Sequence, residues 1–231
     1  MIKKAGIYLL LIFFSGYKLC AQDINLLVAN AKTKMDKVND YEASGRMKTN
    51  VAFLKVPVAD VKIYFKKPNK IKIKSDKGIS FIPKGAVSIN VSNILGEKDY
   101  TIIDAGTEKI GNNSVRVAKL LPTDDNSDVV LSTIYIDPVN YLVIKSKTTT
   151  KENGTFELEM TYKKFIETGL PDKIIFSFKT KDYKLPKGVT FDFDDGTEQK
   201  KPGGIKNKKG RAEIIFSNYI INKGVSDDVF K

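Results

Sequence analysis

Residues 58–74 read V-A-D-V-K-I-Y-F-K-K-P-N-K-I-K-I-K. Val61, Ile63 and Phe65 fall on one side of an extended chain, and Lys62, Tyr64 and Lys66 on the other. After Lys67-Pro68-Asn69-Lys70 the alternation restarts, with Ile71 and Ile73 opposed to Lys72 and Lys74. A period of two interrupted by Pro-Asn predicts a hairpin of two strands, each with one buried and one solvated face. The same rhythm returns through the rest of the chain, so the predicted fold class is mainly antiparallel β.

Downstream, the runs 101–105, 114–120, 129–136, 141–149, 155–164 and 173–178 alternate with turn signals such as Gly111-Asn112-Asn113, Asp137-Pro138-Val139-Asn140 and Gly169-Leu170-Pro171. Residues 211–221 supply a last long strand. These connections have no room for parallel crossovers, which points to one continuous meander in one domain. Upstream, Ile24, Leu27, Val28, Ala31, Met35 and Val38 recur at spacings of three and four, predicting an amphipathic helix over 23–40 that starts at Asp23. A first long strand follows over 41–56, with Gly45 as a bulge or bend. The run 129–136 is apolar on both phases and is expected to be covered on both sides.

Residues 86–95 admit two readings. Val87, Val91, Ile94 and Leu95 form a helical stripe, whereas Val87, Ile89 and Val91 alternate as a strand. The segment is a candidate lid over the sheet or an ordinary packed connection.

The first residues have the arrangement of a cleaved secretory leader. Lys3 and Lys4 precede an apolar run over 5–14, and Leu19-Cys20-Ala21 precedes Gln22-Asp23. The domain organisation is thus a signal peptide over 1–21 and a single domain over 22–231, exported through the secretory route. The bulky, charged Tyr17-Lys18-Leu19 argues against lipid anchoring at Cys20. Cleavage after Ala21 removes the one cysteine of the chain, and with it any disulfide.

The formal net charge is +12, carried almost entirely by lysine. Only Arg46, Arg116 and Arg211 are arginines, far apart in sequence, so the arginine forks of a nucleic-acid groove are missing. Lysines spread along strand faces read as a solvated surface, with attraction to anionic membrane surfaces as a second reading. There is no histidine, which removes Ser-His-Asp and Cys-His catalysis and imidazole zinc sites. Asp192-Phe193-Asp194-Asp195-Gly196 lacks the register of a calcium loop. No enzyme, metal or cofactor is expected.

What remains is the apolar faces. Val61, Ile63 and Phe65 with Ile73 form one; Phe156, Leu158 and Met160 another; Ile174, Phe176 and Phe178 a third; Ile214 and Phe216 a fourth. Side chains this large can fill a core, and on a strongly curved sheet they can equally line space for an acyl chain.

The chain resembles the LolA-like family of periplasmic lipoprotein carriers and outer-membrane lipoprotein-sorting proteins. The resemblance lies in Phe65-Lys66-Lys67-Pro68-Asn69-Lys70-Ile71-Lys72-Ile73, in Val117-Ala118-Lys119-Leu120-Leu121-Pro122, and in Ile134-Tyr135-Ile136-Asp137-Pro138 before Tyr141-Leu142-Val143-Ile144-Lys145. Gly169-Leu170-Pro171 and the stretch from Phe216-Ser217-Asn218-Tyr219 to Asn222-Lys223-Gly224 extend it over nearly all of 22–231. The resemblance implies a strongly curved, incomplete β-barrel with covering helices over an apolar cavity, and noncovalent binding of lipoprotein acyl chains or lipid. It implies that the strand of Val61, Ile63 and Phe65 helps line the cavity, that the segment after the early hairpins supplies the lid, and that no catalytic residue carries over. The chain departs from the familiar carrier in having no tryptophan and no arginine that can be placed as a lid lock. Cargo therefore stays open between lipoprotein and lipid, with transient contacts to inner- or outer-membrane partners in a Gram-negative envelope. The alternative is an envelope sensory or scaffolding module that binds protein and carries no lipid.

Overall fold

The computed structural model describes residues 23–50, 58–68, 70–76, 100–152, 154–179 and 209–231. The leader with Cys20, the lid candidates Val87, Val91, Ile94 and Leu95, and the acidic stretch around Asp194 lie outside the described residues.

Helix α1 spans Ile24–Asp36. The Asp23 carboxylate accepts from the Asn25 and Leu26 amides and so caps two of its free backbone donors. Its stripe of Ile24, Leu27, Val28, Ala31 and Met35 is buried, as the spacing predicts.

Among the described residues ten antiparallel strands follow: β1 (Asp40–Asn50), β2 (Ala59–Lys66), β3 (Lys70–Ser75), β4 (Tyr100–Ile110), β5 (Asn113–Pro122), β6 (Val129–Asp137), β7 (Leu142–Thr150), β8 (Gly154–Thr161), β9 (Lys173–Lys179) and β10 (Lys209–Ile221). They form one open, curved sheet in the order β3-β2-β1-β10-β9-β8-β7-β6-β5-β4, an incomplete barrel. The meander is therefore not continuous in space. Two meanders, β1 to β3 and β4 to β10, are joined by pairing of β1 with β10. Among the described residues the end strands are β3 and β4, which follow one another in the strand order along the chain. Helix α1 packs across β4 to β7 on the inner face.

Two local details depart from expectation. Strand β6 is buried on one phase only, through Ser132, Ile134 and Ile136. Its register shifts between Val129 and Leu131, which leaves Val130 exposed, and Tyr135 on the other phase is covered by Lys145, whose Nζ lies 5.8 Å from the ring centroid. Two-sided burial occurs in β5 instead, where Val115 and Val117 oppose Ala118 and Leu120.

The closure of β1 on β10 depends on Asn222, which sits in the left-handed region at φ 53°. Its Oδ1 accepts from the Asn39 and Asp40 amides at 2.7 and 3.3 Å, its Nδ2 donates to the Lys37 carbonyl at 2.8 Å, and its amide donates to the Asp40 carbonyl. One side chain thus ties the end of α1, the start of β1 and the end of β10. Asn222→Ala removes three side-chain hydrogen bonds and puts at positive φ a residue without asparagine's tolerance of that region, so it is expected to cost about 2 kcal/mol in urea denaturation. A loss below about 0.5 kcal/mol would mean that water replaces those bonds without penalty.

Candidate ligand-binding face

The inner face is ordered in rows set by strand register. Thr49 pairs with Ala212, Ala212 with Phe176, Phe176 with Leu158, Leu158 with Ser146, and Ser146 with Ile134. A neighbouring row runs from Gly210 through Phe178, Phe156 and Thr148 to Ser132. On the far side Met47 pairs with Ile214, Ile214 with Ile174 and Ile174 with Met160. Because side chains alternate across a strand, this register alone brings β1, β8, β9 and β10 onto one apolar surface.

Every residue expected to line a ligand site lies on this face. Val61, Ile63, Phe65, Phe156, Leu158, Met160, Ile174, Phe176, Phe178, Ile214 and Phe216 are buried in a single cluster, and Ile73 is half-buried against it. They occupy the β8–β10 and β2–β3 portion of the sheet, whereas α1 packs chiefly over β4 to β7. The rings run in series: Phe156 to Phe176 is 5.6 Å and Phe176 to Phe178 5.3 Å between centroids. The Phe178 ring lies directly over Gly210, where a Cβ would come within 2.3 Å of Cζ. Glycine there lets the aromatic lie flat on the sheet.

Sequence reasoning missed the contribution of β1. Tyr41, Ala43 and Met47 are buried on the same face, and Tyr41 stands 5.2 Å from Phe65 and 5.4 Å from Tyr219 between ring centroids. The alternation Tyr41, Ala43, Gly45, Met47, Thr49 was the available signal, diluted by three small or polar members.

Tyr219 closes the end of the face near the loop before β9. Its hydroxyl donates to the Pro171 carbonyl at 2.8 Å, and its ring packs on Phe165 and Phe216 at 4.8 and 5.0 Å. Tyr162 donates to the Val143 carbonyl at 2.9 Å. Burial pushes the phenols of Tyr41, Tyr162 and Tyr219 well above the ordinary value of 10.0, and for Tyr219 the neighbouring Tyr41, Tyr162 and Asp172 add to it. The unfolded chain releases these protons near 10 while the native state keeps them, so stability is full below that pH and falls as pH rises beyond it. Denaturation midpoints are expected to hold to about pH 10 and then drop steeply, with a shallower drop for Tyr219→Phe. A flat profile to about pH 12 would show that these phenols titrate alike in both states.

The outer face is mainly polar, with Ile215 and Ile220 of β10 exposed on it. A groove of about 730 Å³ opens there beside the β1–β10 bulge, lined among others by Arg46, Asp60, Lys62, Lys74 and Ile215. Of the predicted lining residues only Val61 borders it. Arg46 there lies 3.4 Å from Asp60, and Lys62 2.8 Å from Glu42. Arg46 therefore belongs to the outer face and not to the apolar one. Lys66 and Lys70 meet Asp227 at 3.0 and 2.9 Å, and Lys72 donates to the Lys231 carbonyl, so the chain's own last residues cover part of the lysine face of the hairpin. On β5, half-buried Arg116 pairs with Asp104 of β4 at 2.6 Å. Among the described residues no group of three or more acids or cysteines is placed to hold a metal ion, and no helix is long and apolar enough to cross a membrane.

No protein-family model matches the chain, and no curated protein matches it by sequence. Solved structures do match. An outer-membrane lipoprotein-sorting protein domain from Vibrio parahaemolyticus aligns with a TM-score of 0.51 at 12% identity, covering 88% of this chain and 95% of that one. A DUF1329 family protein from Desulfovibrio piger aligns with a TM-score of 0.56 at 12% identity over 90% and 97% of the two chains. A LolA superfamily protein from Nitrosomonas europaea aligns with a TM-score of 0.52 at 9% identity over 90% and 96%. Near-complete coverage of both partners at such low identity reports a shared fold, and it is the fold that the chain's motifs resemble: an open antiparallel sheet of LolA type.

Proposed function

We propose that the protein is a noncovalent carrier or binding protein for the acyl chains of lipoproteins or lipids, working in the periplasm after loss of its leader. The observation that carries this reading is the apolar inner face, where the row of Met160, Ile174 and Ile214 continues through Met47 of β1 and belongs to one buried cluster with Phe65, Phe176 and Phe178. Burying an acyl chain on such a surface is worth about 0.8 kcal/mol per methylene before entropic losses. Residues 86–95 are the proposed lid, with Val87, Val91, Ile94 and Leu95 toward the ligand. No bond is made or broken in this function. The lysine-rich outer face favours approach to anionic lipid surfaces and to membrane-bound partners that load or unload the cargo.

Native mass spectrometry on protein purified gently from its own envelope, with lipid extraction of the same sample, tests this directly. A stoichiometric acyl ligand is the expected result and identifies the cargo. Protein that is clean after gentle purification and takes up no offered lipid or lipoprotein would replace carriage with the protein-binding reading.

A further inference from the structure

Hydroxyls gather at one place in the rows of the inner face. Ser132, Ser146 and Thr148 stand together on β6 and β7, all buried. Register places Ser132 opposite Thr148, and their hydroxyls satisfy each other at 2.9 Å. Ser146, two residues before Thr148 on the same face, has Ile134 and Leu158 as its cross-strand partners. It is 0% exposed, and its Oγ has no hydrogen-bond partner. The Oγ1 of buried Thr49, four strands away in the same row, has none either.

A hydroxyl that has left water and found no partner lowers stability, and alanine at this position would avoid that cost. The fold therefore draws no benefit from a serine at 146. A ligand with an acceptor placed over β7 would.

We propose that Ser146, with the Ser132–Thr148 pair beside it, is a polar subsite that takes the carbonyl oxygen of an acyl ester or amide. This rests on the acyl-binding reading above and narrows it: the ligand is recognised at the junction where its chain joins glycerol or an amino group, and not by hydrocarbon alone. The Ser146 O–H donates to the carbonyl, while Leu158 and Phe176 on one side and Ile134 on the other offer the apolar surface along which the chain extends. The same chemistry serves an ester-linked lipid and the N-acyl group of a lipoprotein.

The test uses the full chain and two matched pairs of probes in titration calorimetry. One pair is a short-chain diacyl phosphatidylglycerol and its dialkyl ether analogue; the other is an N-acyl peptide and its N-alkyl counterpart. In at least one pair the carbonyl-bearing member is expected to bind about three- to tenfold tighter, the range of one neutral hydrogen bond. Ser146→Ala is expected to abolish that preference while leaving the ether or alkyl probe unchanged, which also shows that the variant is folded. The pair that shows the preference identifies its source, lipid or lipoprotein. If Ser146→Ala weakens the ether and alkyl probes as well, Ser146→Cys repeats the comparison at nearly conserved size and must show a reduced preference. Equal affinities within both pairs, or a preference that survives both substitutions, overturn the subsite and leave acyl binding standing. Failure of all four probes to bind overturns both.

Discussion

Phe176→Ala is expected to lower the stability of the protein by about 4 kcal/mol, the middle of the range for a phenylalanine removed from a packed interior. Phe176 is 1% exposed and sits in the middle strand of the most apolar part of the sheet. It stands in one row between Ala212 and Leu158, and its ring lies within 5.6 Å of Phe156 and 5.3 Å of Phe178. Its loss removes the transfer energy of a large side chain and leaves a void, because the small Ala212 beside it cannot close the gap and Phe178 is already seated on Gly210. Urea denaturation followed by circular dichroism reads the effect. A loss under about 1.5 kcal/mol would show that the face collapses readily around the deletion and is not packed as the register describes. The acyl-binding proposal adds a second readout: a bound chain would occupy part of the new space, so added lipid should recover more stability in the variant than in the parent.

Gly45→Ala is expected to cost about 3 kcal/mol, although it adds a single methyl group. Gly45 sits where the β1–β10 register shifts, and a Cβ at this position would lie 2.6 Å from the Ile215 carbonyl oxygen and 3.3 Å from the Phe216 Cα. Those are backbone atoms held in the sheet, so they cannot rotate away as a side chain would. The strands would have to separate at the one seam that joins the two meanders. Thermal denaturation measures the loss. A variant as stable as the parent would show that the bulge relaxes freely, and that the seam between β1 and β10 is held elsewhere, with Asn222 the first place to look.

Much of the fold was legible because its signals are local. The helix announced itself through the spacing of Leu27, Ala31 and Met35, and the early hairpin through the alternation around Ile63 and Ile73, since each pattern concerns which side of one element meets water. The shared buried face of the proposed lining residues was legible for the same reason: Phe156, Leu158 and Met160 share a face whatever their strand pairs with. Strand β6 was misjudged because apolar residues on both phases cannot reveal a register shift, and a shift at Val129 to Leu131 exposed Val130. Arg46 could not be assigned from sequence because its role follows from the partner across the hairpin. On the outer face that partner is Asp60, and the pair has no access to the apolar rows.

The sequence by itself determined the antiparallel class, the helix, the two faces of nearly every strand and the apolar character of the inner one, all properties of neighbouring residues and their exposure. Only the tertiary structure decided that β10 pairs with β1, that β3 and β4 end the sheet among the described residues, and that Ser146 falls in the same row as Thr49 and Phe176. These depend on which strands meet and in what register. Hydrogen bonds between backbones are nearly alike at every register, so the choice rests on the sum of many side-chain contacts across the sheet, a quantity that no single stretch of the chain contains.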